Sequence, residues 1–281
     1  MRNAKLCLGL SEHFGLPFEE QIRVLKKIGF EGFFAGWREG ADLSSLRRVA
    51  DEEGMIFQSV HAPFGKICDP WHETPDTPAV IEEQLCCLRD CAANGVPVMV
   101  CHVFIGFTRH EPTPQGPANF DIIVREAEKL GVKIAFENTE GEEYLAALME
   151  HYKGNSAVGF CWDTGHEMCY NRSRDMTALY GDRLLCTHLN DNLGIRDYQG
   201  EITWLDDLHL LPFDGIADWQ GIADRLNACG YNGILTFELN RVSKPGRADN
   251  EPYVRMDPVD YLTAAYARAC RVAALKLRGQ K

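Results

Sequence analysis

Short apolar runs and amphipathic stretches take turns along this chain of 281 residues, and run after run closes on an acidic or imidazole side chain. The runs read as buried strands at 5–10, 32–36, 56–61, 97–102, 132–137, 157–162, 183–189 and 233–239. His61 ends QSVH, His102 ends VMVCH, Glu137 ends KIAFE and Glu238 ends ILTFE, while Asp163 follows GFCW and His188 follows LLCT. Between them lie helical patterns at 18–29, 42–54, 78–95, 119–131, 142–152, 175–182, 217–230 and 258–277, the first two closing on Gly29 and Gly54 as C-caps. Strict alternation implies parallel pairing through right-handed crossovers. Eight such units predict one (β/α)₈ barrel over residues 1–281, an α/β fold of about 250 residues in its usual form. A doubly wound open sheet is the competing architecture, but no glycine-rich phosphate-binding turn follows the first strand.

In a barrel, the side chains at the carboxyl ends of the strands converge, so their chemistry matters together. Carboxylates and imidazoles gathered there make a divalent metal site. Glu137, in FEN, is costly to bury unless it is paired or ligated. Asp163 and His166, in WDTGH, can point into the same space, although Asp163 also suits the N-cap of the next helix and His166 suits a supporting role beside a ligand. His188 and Asp191 stand in THLND; His188 is the candidate ligand, and Asp191 suits either orienting it or an ordinary loop position. Glu238 lies across the mouth from Glu137, and two opposed carboxylates near a cation suit proton removal and return on either side of one carbon. His61 and His102 can hold a second metal or meet substrate hydroxyls, and Asp207 with His209 forms an Asp-x-His step suited to a further metal beside His166 or to substrate. His13, His72, His110 and His151 read as surface or loop residues.

Composition narrows the partners. The formal net charge of −12, from 29 basic and 41 acidic residues, gives no overall attraction to phosphate backbones. No apolar run of about 18 residues is present for a membrane span, and the N-terminal stretch meets Glu12 and His13 too soon for a secretory signal. The 11 cysteines are odd in number and contain no CxxC pair, which predicts reduced buried thiols in a cytoplasmic protein rather than a disulfide framework. The long segments 62–77, 103–118, 190–215 and 240–256 all follow strands and therefore belong to the catalytic face. Arg109, Arg241 and Lys244 lie in these loops as possible phosphate contacts, and Trp37, Trp162 and Trp204 are candidate pocket walls.

Taken in order, FEN at 136–138, WDTGH at 162–166, THLND at 187–191, HLLPFDGIADW at 209–219 and GYNGILTFEL at 230–239 resemble the xylose-isomerase-like TIM-barrel superfamily over nearly the whole chain. That superfamily holds sugar isomerases, ketose 3-epimerases, hydroxypyruvate and inosose-type enzymes, and endonuclease IV. The epimerase resemblance implies one Mn²⁺, Co²⁺, Mg²⁺ or Zn²⁺ on Glu137, Asp163, His188 and Glu238, with the two glutamates as acid and base. It implies His166 close to substrate and Arg196 as a further contact to a 2-keto sugar or polyol, whose cis-enediolate the metal stabilises. It also implies a homo-oligomer. The endonuclease IV pattern finds candidates for a three-zinc site in His61, His102, Glu137, Asp163, His166, His188, Asp207, His209 and Glu238, which implies phosphodiester cleavage; a polyol dehydratase is a further alternative. Against a nucleic-acid substrate, the loops carry no clear basic or intercalating stretch that would grip a bent duplex.

Overall fold

The computed structural model describes residues 4–108, 111–196 and 202–279. The first half of the barrel runs β1 (Leu6–Gly9), α1 (Phe18–Ile28), β2 (Gly32–Gly36), α2 (Leu43–Glu53), β3 (Ile56–His61), α3 (Thr77–Ala93), β4 (Val98–Cys101) and α4 (Gln115–Leu130). The second half runs β5 (Lys133–Glu137), α5 (Glu142–His151), β6 (Val158–Asp163), α6 (Thr164–Cys169), α7 (Met176–Tyr180), β7 (Leu184–His188), α8 (Trp219–Ala228), β8 (Leu235–Phe237), α9 (Glu251–Val254) and α10 (Pro258–Arg278). Every predicted strand and helix is present, with ends moved by a few residues. Two short helices, α6 and α9, are additions; neither is long enough to show a helical period in the sequence.

All strands pair in parallel in the order β7-β6-β5-β4-β3-β2-β1-β8. The ring closes between β7 and β8 through a parallel bridge of Leu189 to Phe237 and a bond from the Leu189 N–H to the Thr236 carbonyl at 2.8 Å. The chain is therefore a single (β/α)₈ barrel, not a doubly wound open sheet. Local chemistry sets the helix ends. The Asp42 side chain accepts from the Ser45 N–H at 3.0 Å to start α2, and Gly54 ends it in the left-handed conformation at φ 62°, which favours glycine.

Strand side chains alternate faces, so residues two apart share one. The odd-numbered positions of β5, Ala135 and Glu137, point into the barrel. Cys161 with Asp163 on β6 and Cys186 with His188 on β7 do likewise, Cys161 lying opposite Cys186 and Asp163 opposite His188 in register. Val98, Val100, Ala135, Cys161 and Cys186 form a small buried cluster of their own inside the ring. The much larger cluster lies between ring and helices, with Phe136, Phe160 and Trp162 among its members. One residue's shift along a strand thus decides between helix-facing core and barrel interior, and two decide between the apolar and the polar layer of that interior. All eleven cysteines are free thiols. Among the described residues no helix is long and apolar enough to cross a membrane.

Candidate metal centre

Glu137 is fully buried at the centre of the polar layer. Its Oε1 lies 2.9 Å from His188 Nδ1 and 3.7 Å from His166 Nδ1. Its Oε2 lies 3.2 Å from His61 Nε2 and 3.3 Å from His102 Nε2. On the far side His188 Nδ1 meets Glu238 Oε2 at 3.1 Å, so one ring nitrogen stands between the two glutamates. Donor atoms of Glu137, Asp163, His188 and Glu238 lie within 4.8 Å of one another. Two donors on opposite sides of one ion, each bonded at about 2.1 Å, stand about 4 Å apart, so these four side chains fit one cation.

Asp163 is the N-cap of α6 and also faces the other donors. Its Oδ1 accepts from the His166 N–H at 2.7 Å and starts α6, while Asn190 Nδ2 reaches both oxygens, at 3.2 and 2.9 Å. A second group surrounds Asp207, whose Oδ2 lies 2.8 Å from His209 Nε2 and 3.6 Å from His166 Nε2. His209 holds a left-handed backbone at φ 50°, a conformation uncommon outside glycine, asparagine and aspartate, as the turn brings its ring back over the strand ends.

The proton assignments bear on metal binding. A carbonyl oxygen only accepts, so each ring nitrogen beside one carries the proton. His61 Nδ1 lies 2.8 Å from the Ala62 carbonyl, His166 Nδ1 3.0 Å from that of Asn138, and His209 Nδ1 3.2 Å from that of Glu238. The Nε2 atoms of these rings, if neutral, present lone pairs to carboxylate oxygens. Lone pair against carboxylate is repulsive unless a proton or a cation lies between. The Nδ1 of His102 and Oδ1 of Asp207 are moreover buried without a hydrogen-bond partner. The residues present therefore fit cations at the main quartet and also at the His61–His102–Glu137 and His166–Asp207–His209 positions.

Without a cation, protons fill that role. Burial opposes charge on His188, but Glu137 and Glu238 outweigh it and hold its pKa well above the usual imidazole range. Burial likewise opposes charge on His209, yet Asp207 pushes its pKa up to about 9. Burial opposes ionisation of Glu238, and His188 overcomes it to bring the carboxyl to about 2. In Asp163 burial wins, and the carboxyl rises to about 6. His102 is lowered, again because burial outweighs its carboxylate neighbour.

Above the donors opens a cavity of about 620 Å³ whose walls include Phe34, Trp37, Phe64, Tyr170, Trp204 and Lys244. Phe34 stacks on His188, with centroids 4.6 Å apart and planes at 17°. It can do so because residue 9 is glycine; a Cβ there would stand 2.5 Å from the Phe34 ring. Phe64 covers His102 in the same way at 4.5 Å. Several sequence expectations need correction. Trp162 is no pocket wall: it faces the helices, donates to Glu167 Oε2 at 2.9 Å and carries the Arg225 guanidinium over its ring. Asp191 does not orient His188; it accepts from the N–H groups of Phe213 and Ala217 and from Trp219 Nε1, pinning the loop between β7 and α8. Arg241 braces the carbonyls of Tyr253 and Val254, both at 3.0 Å, and lies outside the cavity lining, as does the exposed Arg196. His13, exposed on its loop, lines the cavity mouth; His72 is half-buried and His151 exposed. Arg109 and His110 lie outside the described residues. The sequence reading missed Phe34, Phe64, Tyr170, Glu140 and Asn190.

A family model described as xylose isomerase-like TIM barrel matches residues 22–258. The chain belongs to this family. A protein of Sinorhizobium fredii described as uncharacterized protein y4fM is 29% identical over 232 residues, covering 70% of this chain and 71% of that protein. Among solved structures, the IOLI protein with a bound zinc atom shares 16% identity at a TM-score of 0.72, over 96% of this chain and 98% of its own. An L-ribulose 3-epimerase shares 16% identity at a TM-score of 0.69, over 98% of this chain and 96% of its own. A xylose isomerase-like TIM barrel/4-hydroxyphenylpyruvate dioxygenase fusion protein matches 89% of this chain at 15% identity and a TM-score of 0.63; the chain spans 41% of its length. At these identities the structures share the fold.

Proposed function

We propose that the protein is a divalent-metal-dependent isomerase or epimerase of a sugar, sugar phosphate or polyol. The observation that carries this reading is the pair Glu137 and Glu238, set on either side of one imidazole nitrogen beneath an aromatic-walled cavity that Glu238 lines. Glu137, Asp163, His188 and Glu238 would hold the cation, one of Mn²⁺, Co²⁺, Mg²⁺ or Zn²⁺. When bound, it supplies Lewis acidity to adjacent carbonyl and hydroxyl oxygens of the substrate. One glutamate takes the proton from the carbon bearing a hydroxyl, and the other returns a proton to the opposite face or to the neighbouring carbon. His166, held by its Nδ1–H on the Asn138 carbonyl, lines the cavity beside Tyr170, where it would sit close to substrate. The zinc-bound IOLI structure and the epimerases of this fold support the assignment. Eleven free thiols fit a reducing compartment such as the cytoplasm.

The test is solvent-deuterium incorporation at the substrate carbon over a panel of ketoses and inososes, with the metal content of the same sample measured. Exchange with about one tightly held metal per chain supports the reading; no exchange with any substrate sinks it. A second reading, hydrolysis on several cations, is favoured by the four imidazole Nε2 atoms, of His61, His102, His166 and His209, that face carboxylates. It requires two or three metals per chain and cleavage of an abasic oligonucleotide.

A further inference from the structure

We infer that the substrate is larger than one sugar unit: a glycoside-sized molecule whose reacting ring lies on the two glutamates and whose second ring lies between Phe64 and Trp204. The inference rests on the proposed isomerase or epimerase reading and names the size and shape of what that site takes.

Depth in the cavity can be read from exposure. His102 and His166, which line its inner part, are 8% and 4% exposed, while Phe64 and Trp204, which also line it, are 43% and 51% exposed. Phe64 follows β3 and Trp204 follows β7, so the two rings rise from opposite sides of the barrel mouth. One face of Phe64 is taken by the His102 ring, yet among the described residues Phe64 keeps 43% of its surface exposed. Trp204 carries Lys244 Nζ 5.5 Å above its ring, and that ammonium lies 3.5 Å from Asp207 Oδ2, at the edge of the polar layer. The mouth is therefore flanked by two large aromatic rings that the described residues leave about half exposed.

Exposing large apolar rings at a cavity mouth costs solvation that burial elsewhere would recover. Flat aromatic faces suit the apolar C–H face of a sugar ring, which has hydroxyls at its rim. The volume agrees. About 620 Å³ is mid-range for sites that enclose drug-sized ligands, about 300–1,000 Å³, and a single monosaccharide is smaller than such ligands. A lone ketose on the glutamates would leave the Phe64 and Trp204 surfaces facing water.

The experiment compares D-fructose with isomaltulose, the same ketose carrying a glucosyl unit, on protein loaded with Mn²⁺. Calorimetric Kd and solvent-deuterium exchange are measured for both sugars, with the wild type and with Trp204→Ala and Phe64→Ala. The expected result is about tenfold tighter binding of isomaltulose, with that preference falling towards unity in either variant. Equal or weaker binding of isomaltulose, or a preference unchanged in both variants, overturns the inference even if fructose exchanges its proton. Tighter, variant-sensitive binding of isomaltulose without exchange of either sugar keeps the outer ring site and sinks the isomerase or epimerase reading instead.

Discussion

The two layers of the barrel interior are built from the same strands, two residues apart, and they do opposite things. Ala135, Cys161 and Cys186 make a small dry cluster; Glu137, Asp163 and His188, one pleat further on, make a buried polar one. The lower layer gains by excluding water and filling space. The upper layer concentrates carboxylates whose burial is unfavourable unless protons or cations compensate. The comparison teaches that the fold carries the cost of the site. A closed ring with an apolar floor can hold acidic and imidazole groups at fixed separations that an open surface would let relax apart.

The largest effect that could break this division comes from the upper layer. Glu137→Gln or Glu238→Gln is expected to cut turnover by about 10²–10⁴-fold with an unchanged circular dichroism spectrum. Full turnover in either variant would remove the acid–base assignment. A smaller effect belongs to Asn190, whose amide donates to both Asp163 oxygens and to the His188 carbonyl at 3.4 Å, and which offers the cation no donor itself. Asn190→Ala is expected to weaken cation affinity by about 10–100-fold, read by titration against a chelating dye, because outer partners orient a ligand without contributing a donor. An unchanged affinity would leave Asn190 a mere neighbour. In the lower layer, Ala135→Leu adds volume where Val100 and Gly159 are its paired neighbours. It is expected to cost about 1–3 kcal/mol in denaturant unfolding. If it instead spares stability and abolishes cation binding, the two layers are not separable.

This division also explains what could be read before folding. A carboxylate or imidazole closing an apolar run marks a strand end facing inward, and the nine candidate donors are picked out that way or by the Asp-x-x-His step of WDTGH and the Asp-x-His step at 207–209. Alternation alone should also have turned Trp162 outward, since it stands next to Asp163. Phe34 was less legible. The pairing of β2 with β3 shifts register between Phe33 and Phe34, so counting along GFFAG does not tell which phenylalanine enters the barrel. Asn190 was missed, and Asp191 was offered for orienting His188, because both sit past the strand end, where direction follows the loop rather than the pleat. Phe64 and Tyr170 come from loops and short turns, whose path depends on contacts distant in sequence, whereas Trp37 and Trp204, candidate walls from the sequence, do line the cavity.

The smallest expected effect is a dependence on pH that tests whether protons stand in for cations in the upper layer. In the metal-free protein the pKa of His209 is raised to about 9, from an ordinary value near 6.5, by Asp207 against the opposing effect of burial. The folded state therefore binds more protons than the unfolded one between those values. Its stabilisation is fully present below about pH 6.5 and is lost as pH rises through about 9. Chelator-treated protein should thus melt a few degrees lower at pH 9.5 than at pH 6.5. His209→Asn, which keeps a donor but cannot charge, should flatten that slope. Saturating Zn²⁺ should flatten it as well in the wild type if a cation binds at His166, Asp207 and His209, because ligation replaces the proton. A slope that survives saturation would mean that protons, not metal, occupy this position. Cations would then be confined to the quartet around Glu137, as the one-metal reading requires.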